Sequence, residues 1–512
     1  MAHRTPMSLL AITTMLATSF SAALPLQAQQ NGRARPGYCR APSVLPQLGR
    51  EADNQQDQRP MRRVRGEAEH DVMSAPPPPP PPPSPAPMVS APAADGYADA
   101  VGTSTRSEST PAATSEGRIA APGSIMPPHP PYPYPRPRPQ SGVLTAGEHD
   151  DLLNPELYAR YVDSSDLAQR IPDLPRVDTS RLLTVEVRDA GGRAVPFADV
   201  VLTCSDGNSI TLASQADGRA VFFPDIDRIS PRATVRVRYR GVWQGAPRPV
   251  AFGQDAGGQQ MSVTVGGAAQ GVTKLDLMLV VDTTGSMGDE ISYLQSELQS
   301  IVTSLRQRHQ RLDLRVGFVF YRDEGDAYVT RTIAFDSSVG RATATLGQQS
   351  AGGGGDYPEA MDQALIRAVG QAWRPDAVKT MLLVADAPPH DERVGRTWAA
   401  TEAARARRIH IVPVAASGVA DEAEYTMRSM AALTQSRYLF LTDDSGVGNA
   451  HAAPAIDCYL VTRLDALLRR VIDSQLSGRR VEPQGGEVIR SVGQYDGGRC
   501  ILPNDFGGEK EG

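Results

Sequence analysis

From Lys274 to about Leu476 the chain alternates uninterrupted apolar runs with stretches whose apolar residues recur every three or four positions. Leu275 to Val281, Leu314 to Phe320, Met381 to Ala385 and Ile409 to Val414 are the runs. Continuous apolarity is what a parallel strand shows when both its faces are covered. Between the first two runs, Ile291, Leu294, Leu298, Ile301 and Leu305 mark one face of a helix. Strands alternating with helices predict an α/β domain with a mostly parallel, six-stranded, Rossmann-like sheet. Tyr328 to Phe335 follows the second strand after a short turn and predicts an antiparallel edge strand. Arg437 to Leu441 predicts the last strand, and about Leu460 to Leu476 a closing helix.

The pattern is different upstream. Between Arg181 and Val265, short period-2 segments such as Leu183, Val185 and Val187, or Val200 and Leu202, are separated by turn residues. About seven such strands predict a small antiparallel sandwich over residues 181–268. Residues 142–180 read as a bridging segment with a helical signal around Glu156 to Tyr161 and a solvated acidic turn at Glu148, His149, Asp150 and Asp151. From residue 29 to 141 no hydrophobic period persists, and about half of the 43 prolines cluster there, including the run Pro76 to Pro83. Such sequence has too little apolar surface to offset its ordering entropy and favours polyproline II, hence a disordered, semi-rigid spacer. The first 28 residues carry a basic start, an apolar stretch and Leu26-Gln27-Ala28, the layout of a secretory signal peptide. An uncleaved anchor is the alternative, and with it membrane attachment. Either way the body is expected to be exported, to the periplasm, the cell envelope or the exterior. Residues 481–512 read as a tail.

Lys and Arg total 52 against 58 Asp and Glu, a formal net charge of −6. That balance excludes a general nucleic-acid binder, which must neutralise many phosphates. Four cysteines in an exported chain allow up to two disulfides in three full pairings. A bridge between Cys458 and Cys500 would staple the tail to the body. Cys204 shares a strand face with Val200 and Leu202 and reads as a buried thiol, while Cys39, in the spacer, reads as free or intermolecular.

The candidate chemistry lies where the apolar runs stop. The first run ends in Asp282-Thr283-Thr284-Gly285-Ser286, one carboxylate and several hydroxyls on a tight loop. A glycine run, Gly352 to Gly355, delivers Asp356 just before a helix, and Asp386 ends the strand Met381 to Ala385. In open α/β sheets ligands bind at the carboxyl ends of strands. Oxygen ligands of this kind suit hard divalent cations. Helix capping by Thr284 and Ser286 is the alternative for the first loop. Asp323 reads as a solvated turn at the end of the neighbouring strand, and His390 approaches the same face.

These residues resemble the von Willebrand factor type A domain and its metal-ion-dependent adhesion site. Its Asp-x-Ser/Thr-x-Ser pattern corresponds to Asp282, Thr284 and Ser286, its second-loop ligand to Asp356, and its third-loop Asp to Asp386. The resemblance covers residues 272–480. It implies a divalent cation, Mg²⁺ favoured slightly over Ca²⁺, and a protein partner whose acidic side chain completes the coordination. Asp356 stands where many adhesive relatives have Thr; a third carboxylate holds the cation more firmly and attracts an acidic partner less. The segments Val187 to Pro196, Ala198 to Val200 and Gln215 to Ala220 resemble the carboxypeptidase regulatory-like, transthyretin-like sandwich, which implies an accessory module without catalysis.

The resulting expectation is a non-enzymatic, exported interaction or adhesion protein. A structural envelope scaffold with a purely stabilising metal site is the second reading. A metal-dependent phosphohydrolase is remote, because Thr284 stands where an Asp-x-Asp phosphatase has its second Asp. His-Glu-x-x-His and Gly-x-Ser-x-Gly are both missing from the sequence, against a zinc peptidase or a serine hydrolase.

Overall fold

The computed structural model describes residues 37–49, 140–253, 257–289, 291–446 and 450–502. The signal-peptide stretch, most of the proline-rich spacer and the last ten residues lie outside the described residues. Among the described residues no helix is long and apolar enough to cross a membrane.

The strands are β1 (Thr145–His149), β2 (Leu183–Asp189), β3 (Asp199–Cys204), β4 (Ser209–Ala213), β5 (Arg219–Phe222), β6 (Arg232–Tyr239), β7 (Val242–Ala251), β8 (Gln259–Val265), β9 (Lys274–Asp282), β10 (Asp313–Tyr321), β11 (Thr330–Asp336), β12 (Val378–Ala385), β13 (Ile409–Ala415), β14 (Tyr438–Thr442), β15 (Tyr459–Arg463) and β16 (Arg490–Val492). The longer helices are α1 (Pro155–Ser164), α2 (Leu167–Arg170), α3 (Ile291–Arg308), α4 (Val339–Gly347), α5 (Met361–Val369), α6 (Val394–Ala406), α7 (Asp421–Leu433) and α8 (Leu464–Ser477).

A mixed nine-stranded sheet runs β11-β10-β9-β12-β13-β14-β1-β15-β16. Strands β10, β9, β12, β13 and β14 are parallel, with β11 antiparallel at the edge. The continuous apolar runs follow from helices on both faces. On β9, Leu275, Leu277, Leu279 and Val281 pack with the apolar faces of α3 and α8, and Met278 and Val280 pack with α5, α6 and α7.

The sheet is larger than the six strands the apolar runs predict. Strand β14 is not the last: β1 pairs antiparallel with both β14 and β15, and β16 extends the far edge. Strand β1, with the sequence Thr-Ala-Gly-Glu-His, is buried throughout. It tolerates a carboxylate because distant arginines reach it. Arg437 Nη1 donates to Glu148 at 2.6 Å, and Arg470 and Arg480 lie at 3.4 and 3.6 Å. Asp151, also buried, accepts from Arg428 Nη2 at 2.8 Å, and Arg428 lies 3.9 Å over the Tyr161 ring. The acidic turn is therefore not solvated as the sequence reading had it. Burial alone would raise both carboxyls, but the guanidinium charges outweigh it; Glu148 is lowered and Asp151 is held at about 2.

Strands β2 to β8 form two facing sheets, β5-β2-β8 and β4-β3-β6-β7, around a core that includes Val185, Val200, Phe222 and Val235. Pairing is antiparallel apart from β2 with β8. Cys39 is neither free nor intermolecular: it forms a disulfide with Cys204 across 165 residues, and Cys458 is joined to Cys500. A loop that long gives a stabilisation on the order of 5 kcal/mol in the chain-entropy account. The bond fixes residues 37–49 as a strap. Arg40 pairs with Glu402 of α6, Ser43 N donates to the same carboxylate at 2.8 Å, and Leu45 and Leu48 pack against the core shared by α5 and α6. The strap and the buried pair of Arg405 with Asp227, at 2.7 Å, tie the sandwich to the large domain.

Candidate metal centre at the strand ends

Strands β9 and β12 lie side by side and parallel, so their carboxyl ends place Asp282 and Asp386 on one rim. Asp282 is fully buried and Asp386 is 3% exposed. Asp282 Oδ1 accepts from the Thr284 amide at 2.9 Å and from Thr284 Oγ1 at 2.7 Å. Ser286 Oγ, exposed at the rim, lies 3.2 Å from Thr284 Oγ1. The other Asp282 oxygen, Oδ2, is buried with no hydrogen-bond partner among the described residues.

Backbone hydrogen bonds stitch this loop to the glycine run. Gly285 N donates to Gly353 O, and Gly352 N to Thr283 O, both at 3.0 Å. Gly353 and Gly354 have φ of +86° and +75°, and a Cβ on Gly353 would collide with the Asp326 carboxyl. Only glycine gives a turn of that shape against that neighbour.

The glycine run brings Asp356 to the loop just before the helix, on the side of the first-loop hydroxyls. Asp356 is exposed on the loop. Three residues on, Glu359 is tied by its amide to Pro388 O at 3.0 Å, beside the loop that follows Asp386. Its side chain is 3% exposed and Oε2 has no hydrogen-bond partner. Sequence reasoning missed Glu359, because an acid at the start of a helix is also ordinary capping; the rigid Pro358 before it was the available signal. At the rim, Asp323 is mostly buried and accepts from His390 Nε2 at 2.7 Å, so it is not a solvated turn.

The electrostatics follow from this geometry. Burial first, and then the charge of Asp386, push Asp282 up to about 7. Burial, then Asp282, Asp323 and Asp386, push Glu359 up to about 9. No lysine or arginine forms an ion pair with Asp282 or Glu359 among the described residues. No three His, Cys, Asp or Glu side chains among those residues are grouped so as to hold a metal ion by themselves. A cation here would therefore depend on the hydroxyls of Thr284 and Ser286 and on water. The donor set fits that use: hard oxygens only, buried carboxyl oxygens of Asp282 and Glu359 without a hydrogen-bond partner among the described residues, and acids whose raised pKa values show that no basic side chain there compensates their charge.

Residues 276–452 match the sequence model of the von Willebrand factor A domain family. That stretch is a VWA-type domain. Among curated proteins, an alpha-protein kinase, vwkA, of Dictyostelium discoideum is 32% identical over 118 residues, 23% of this chain and 19% of that protein. A putative ariadne-like RING finger protein, R811, of Acanthamoeba polyphaga mimivirus is 34% identical over 130 residues, 24% of this chain and 12% of that protein. The chain thus spans under a fifth of either relative. Among solved structures, the conserved hypothetical protein BatB of Bacteroides thetaiotaomicron aligns with 39% of this chain and 98% of its own, at 12% identity and a TM-score of 0.27. The pilus adhesin SpaC of Lactobacillus rhamnosus GG aligns with 48% of this chain and 32% of its own, at 13% identity and a TM-score of 0.28. VWA domains commonly serve protein–protein interaction or adhesion, and in this one the strand-end cluster lies inside the matched residues.

Proposed function

We propose that this chain is a non-enzymatic, exported interaction protein whose VWA domain binds a divalent cation at the ends of β9 and β12 and uses it to engage a protein partner at the cell envelope. Asp282, Thr284, Ser286 and Asp386 are the proposed ligands, directly or through water, exposed Asp356 contributes through water alone, and Glu359 beside them loses its proton as the cation binds. The observation that carries this reading is the pair of buried carboxyls, Asp282 and Glu359, each with an oxygen that meets no full hydrogen bond among the described residues. Mg²⁺ is favoured slightly over Ca²⁺, because the hydroxyl share of the donor set suits a small, partly hydrated ion. When bound, the ion would offer an acidic partner side chain a positively charged docking point. The chain's own residues would hold the loop rigid through the Gly285–Gly353 and Gly352–Thr283 hydrogen bonds.

The test is partner capture from cell-envelope extract by wild type and Asp282→Asn, with Mg²⁺ and with chelator. The proposal expects a partner retained only by wild type with Mg²⁺. Equal retention under all four conditions, with both proteins folded, would instead favour a structural scaffold with a stabilising metal site. The sandwich, on the same reading, is an accessory module of the carboxypeptidase regulatory-like kind.

A further inference from the structure

The sandwich has a face that the cation site does not use. Strand β6 alternates strictly: Ala233, Val235, Val237 and Tyr239 are buried, while Arg232, Arg236, Arg238 and Arg240 stand on or beside its outer side. Arg238 is paired with Asp199 at 2.8 Å. Arg232, Arg236 and Arg240 have no carboxylate partner among the described residues, and Arg236 Nε is buried without any hydrogen-bond acceptor. An acidic chain of net charge −6 thus concentrates unneutralised positive charge on one strand. That strand leads directly into a tight turn at Arg240 and Gly241, both with positive φ, the hairpin geometry that matches strand twist.

Beyond the turn, β7 presents Val242 and Trp243, 61% and 41% exposed, the former the most exposed large apolar residue of the sandwich. Arg236 lies 4.5 Å and Arg238 5.6 Å from the Trp243 ring centre. Strand β7 is the edge of its sheet, but Pro247 and Pro249 remove backbone donors there, so an added strand is a poor fit. The outer face and the tip of the hairpin are what remain for docking.

We propose that the β6–β7 hairpin docks on an anionic lipid bilayer, tip first, with Val242 and Trp243 at the headgroup boundary and Arg236 and Arg240 against lipid phosphates. The order of groups decides for a bilayer over an acidic polypeptide. Adjacent strand residues point to opposite sides, so only an approach along the hairpin axis covers both Val242 and Trp243. An acidic peptide laid across the arginines would cover Trp243, which stacks on Arg236, but would leave Val242 on the opposite side in water. Tryptophan is at home where one side is apolar and the other wet, and each arginine near an anionic surface adds attraction that salt weakens. This surface is independent of the cation site.

The test is co-sedimentation of the full chain, disulfides intact, with vesicles of phosphatidylglycerol and phosphatidylcholine and with vesicles of phosphatidylcholine alone, at low and high salt. Wild type is compared with Arg236→Glu, Arg240→Glu and the double variant Val242→Ser, Trp243→Ser, each first shown by circular dichroism to keep its fold. The proposal expects preference for the phosphatidylglycerol vesicles, lost at high salt. It expects a drop of about fivefold or more for each arginine variant and near loss for the double variant. Binding unchanged in all variants, or no preference for the anionic vesicles, overturns it. Binding to poly-L-glutamate that depends on the arginines and ignores Val242 and Trp243, with no vesicle binding, also overturns it and assigns the face to an acidic polypeptide.

Discussion

Two groups of buried acids sit in the same nine-stranded sheet and are treated in opposite ways. Glu148 and Asp151, on and just after β1, are surrounded by Arg437, Arg470, Arg480 and Arg428. Asp282 and Glu359, at the strand ends, have no arginine or lysine bridge among the described residues. Strand β9 shows the contrast on its own: at one end Asp276 is held by Arg315 and Arg374 at 2.7 and 2.8 Å, and at the other Asp282 is not. Burying a carboxylate costs several kcal/mol unless a counter-charge compensates. The chain supplies that counter-charge at β1 and at the start of β9. At the strand ends no such counter-charge stands among the described residues, and the proposed divalent cation would supply it from outside.

The comparison can be broken most severely at Arg428. Arg428→Met leaves buried Asp151 with only His149, at 3.4 Å, beside it, and chemical denaturation should show a loss of about 3–5 kcal/mol; a loss under about 1 kcal/mol would mean that the Arg428 pairing is not what makes burial of Asp151 tolerable. Arg437→Met is milder, because Arg470 and Arg480 still face Glu148, and a loss of about 1–3 kcal/mol is expected in the same assay.

The two groups should also respond to pH with opposite sign. In protein stripped of divalent ions, Asp282 and Glu359 have folded pKa values raised above the ordinary 3.8 and 4.5, to about 7 and about 9. Their contribution to stability is full below about pH 4 and is lost as pH rises through those values. Asp151, lowered to about 2, contributes above pH 3.8 and loses its share as pH falls towards 2. Thermal melts of the cation-free protein from pH 5 to 9 should therefore fall in wild type and fall less in Asp282→Asn, and adding Mg²⁺ should flatten the wild-type curve. Identical slopes in the two proteins would contradict the assignment. The smallest effect is expected from Asp356→Asn, whose exposed side chain should leave both stability and cation affinity within about twofold of wild type.

How far the sequence could be read follows the range of the forces involved. The parallel strands β9, β10, β12 and β13 were legible because a two-sided burial leaves a local apolar run. Strand β1 was not, because its burial depends on Arg437, which is 289 residues away from Glu148 and invisible to any local pattern. The Cys39–Cys204 bond was missed for the same reason, since the proline-rich context of Cys39 gave no sign of the short strap it anchors. At the candidate site, Asp282, Thr284, Ser286 and Asp386 were legible as strand-end oxygens. The burial of Glu359 beside them was not, because it depends on how the glycine loop turns, and that is set by the close approach of Gly353 to Asp326 and the hydrogen bond of Glu359 to Pro388.

The central claim is that the strand-end acids await an external cation, and calorimetric titration of Mg²⁺, Ca²⁺ and Mn²⁺ into chelator-treated full chain tests it most directly. Wild type should bind one ion saturably, and folded Asp282→Asn should bind none at that site. Wild type that is folded and takes up no ion, or an Asp282→Asn variant that binds as well as wild type, would contradict the account.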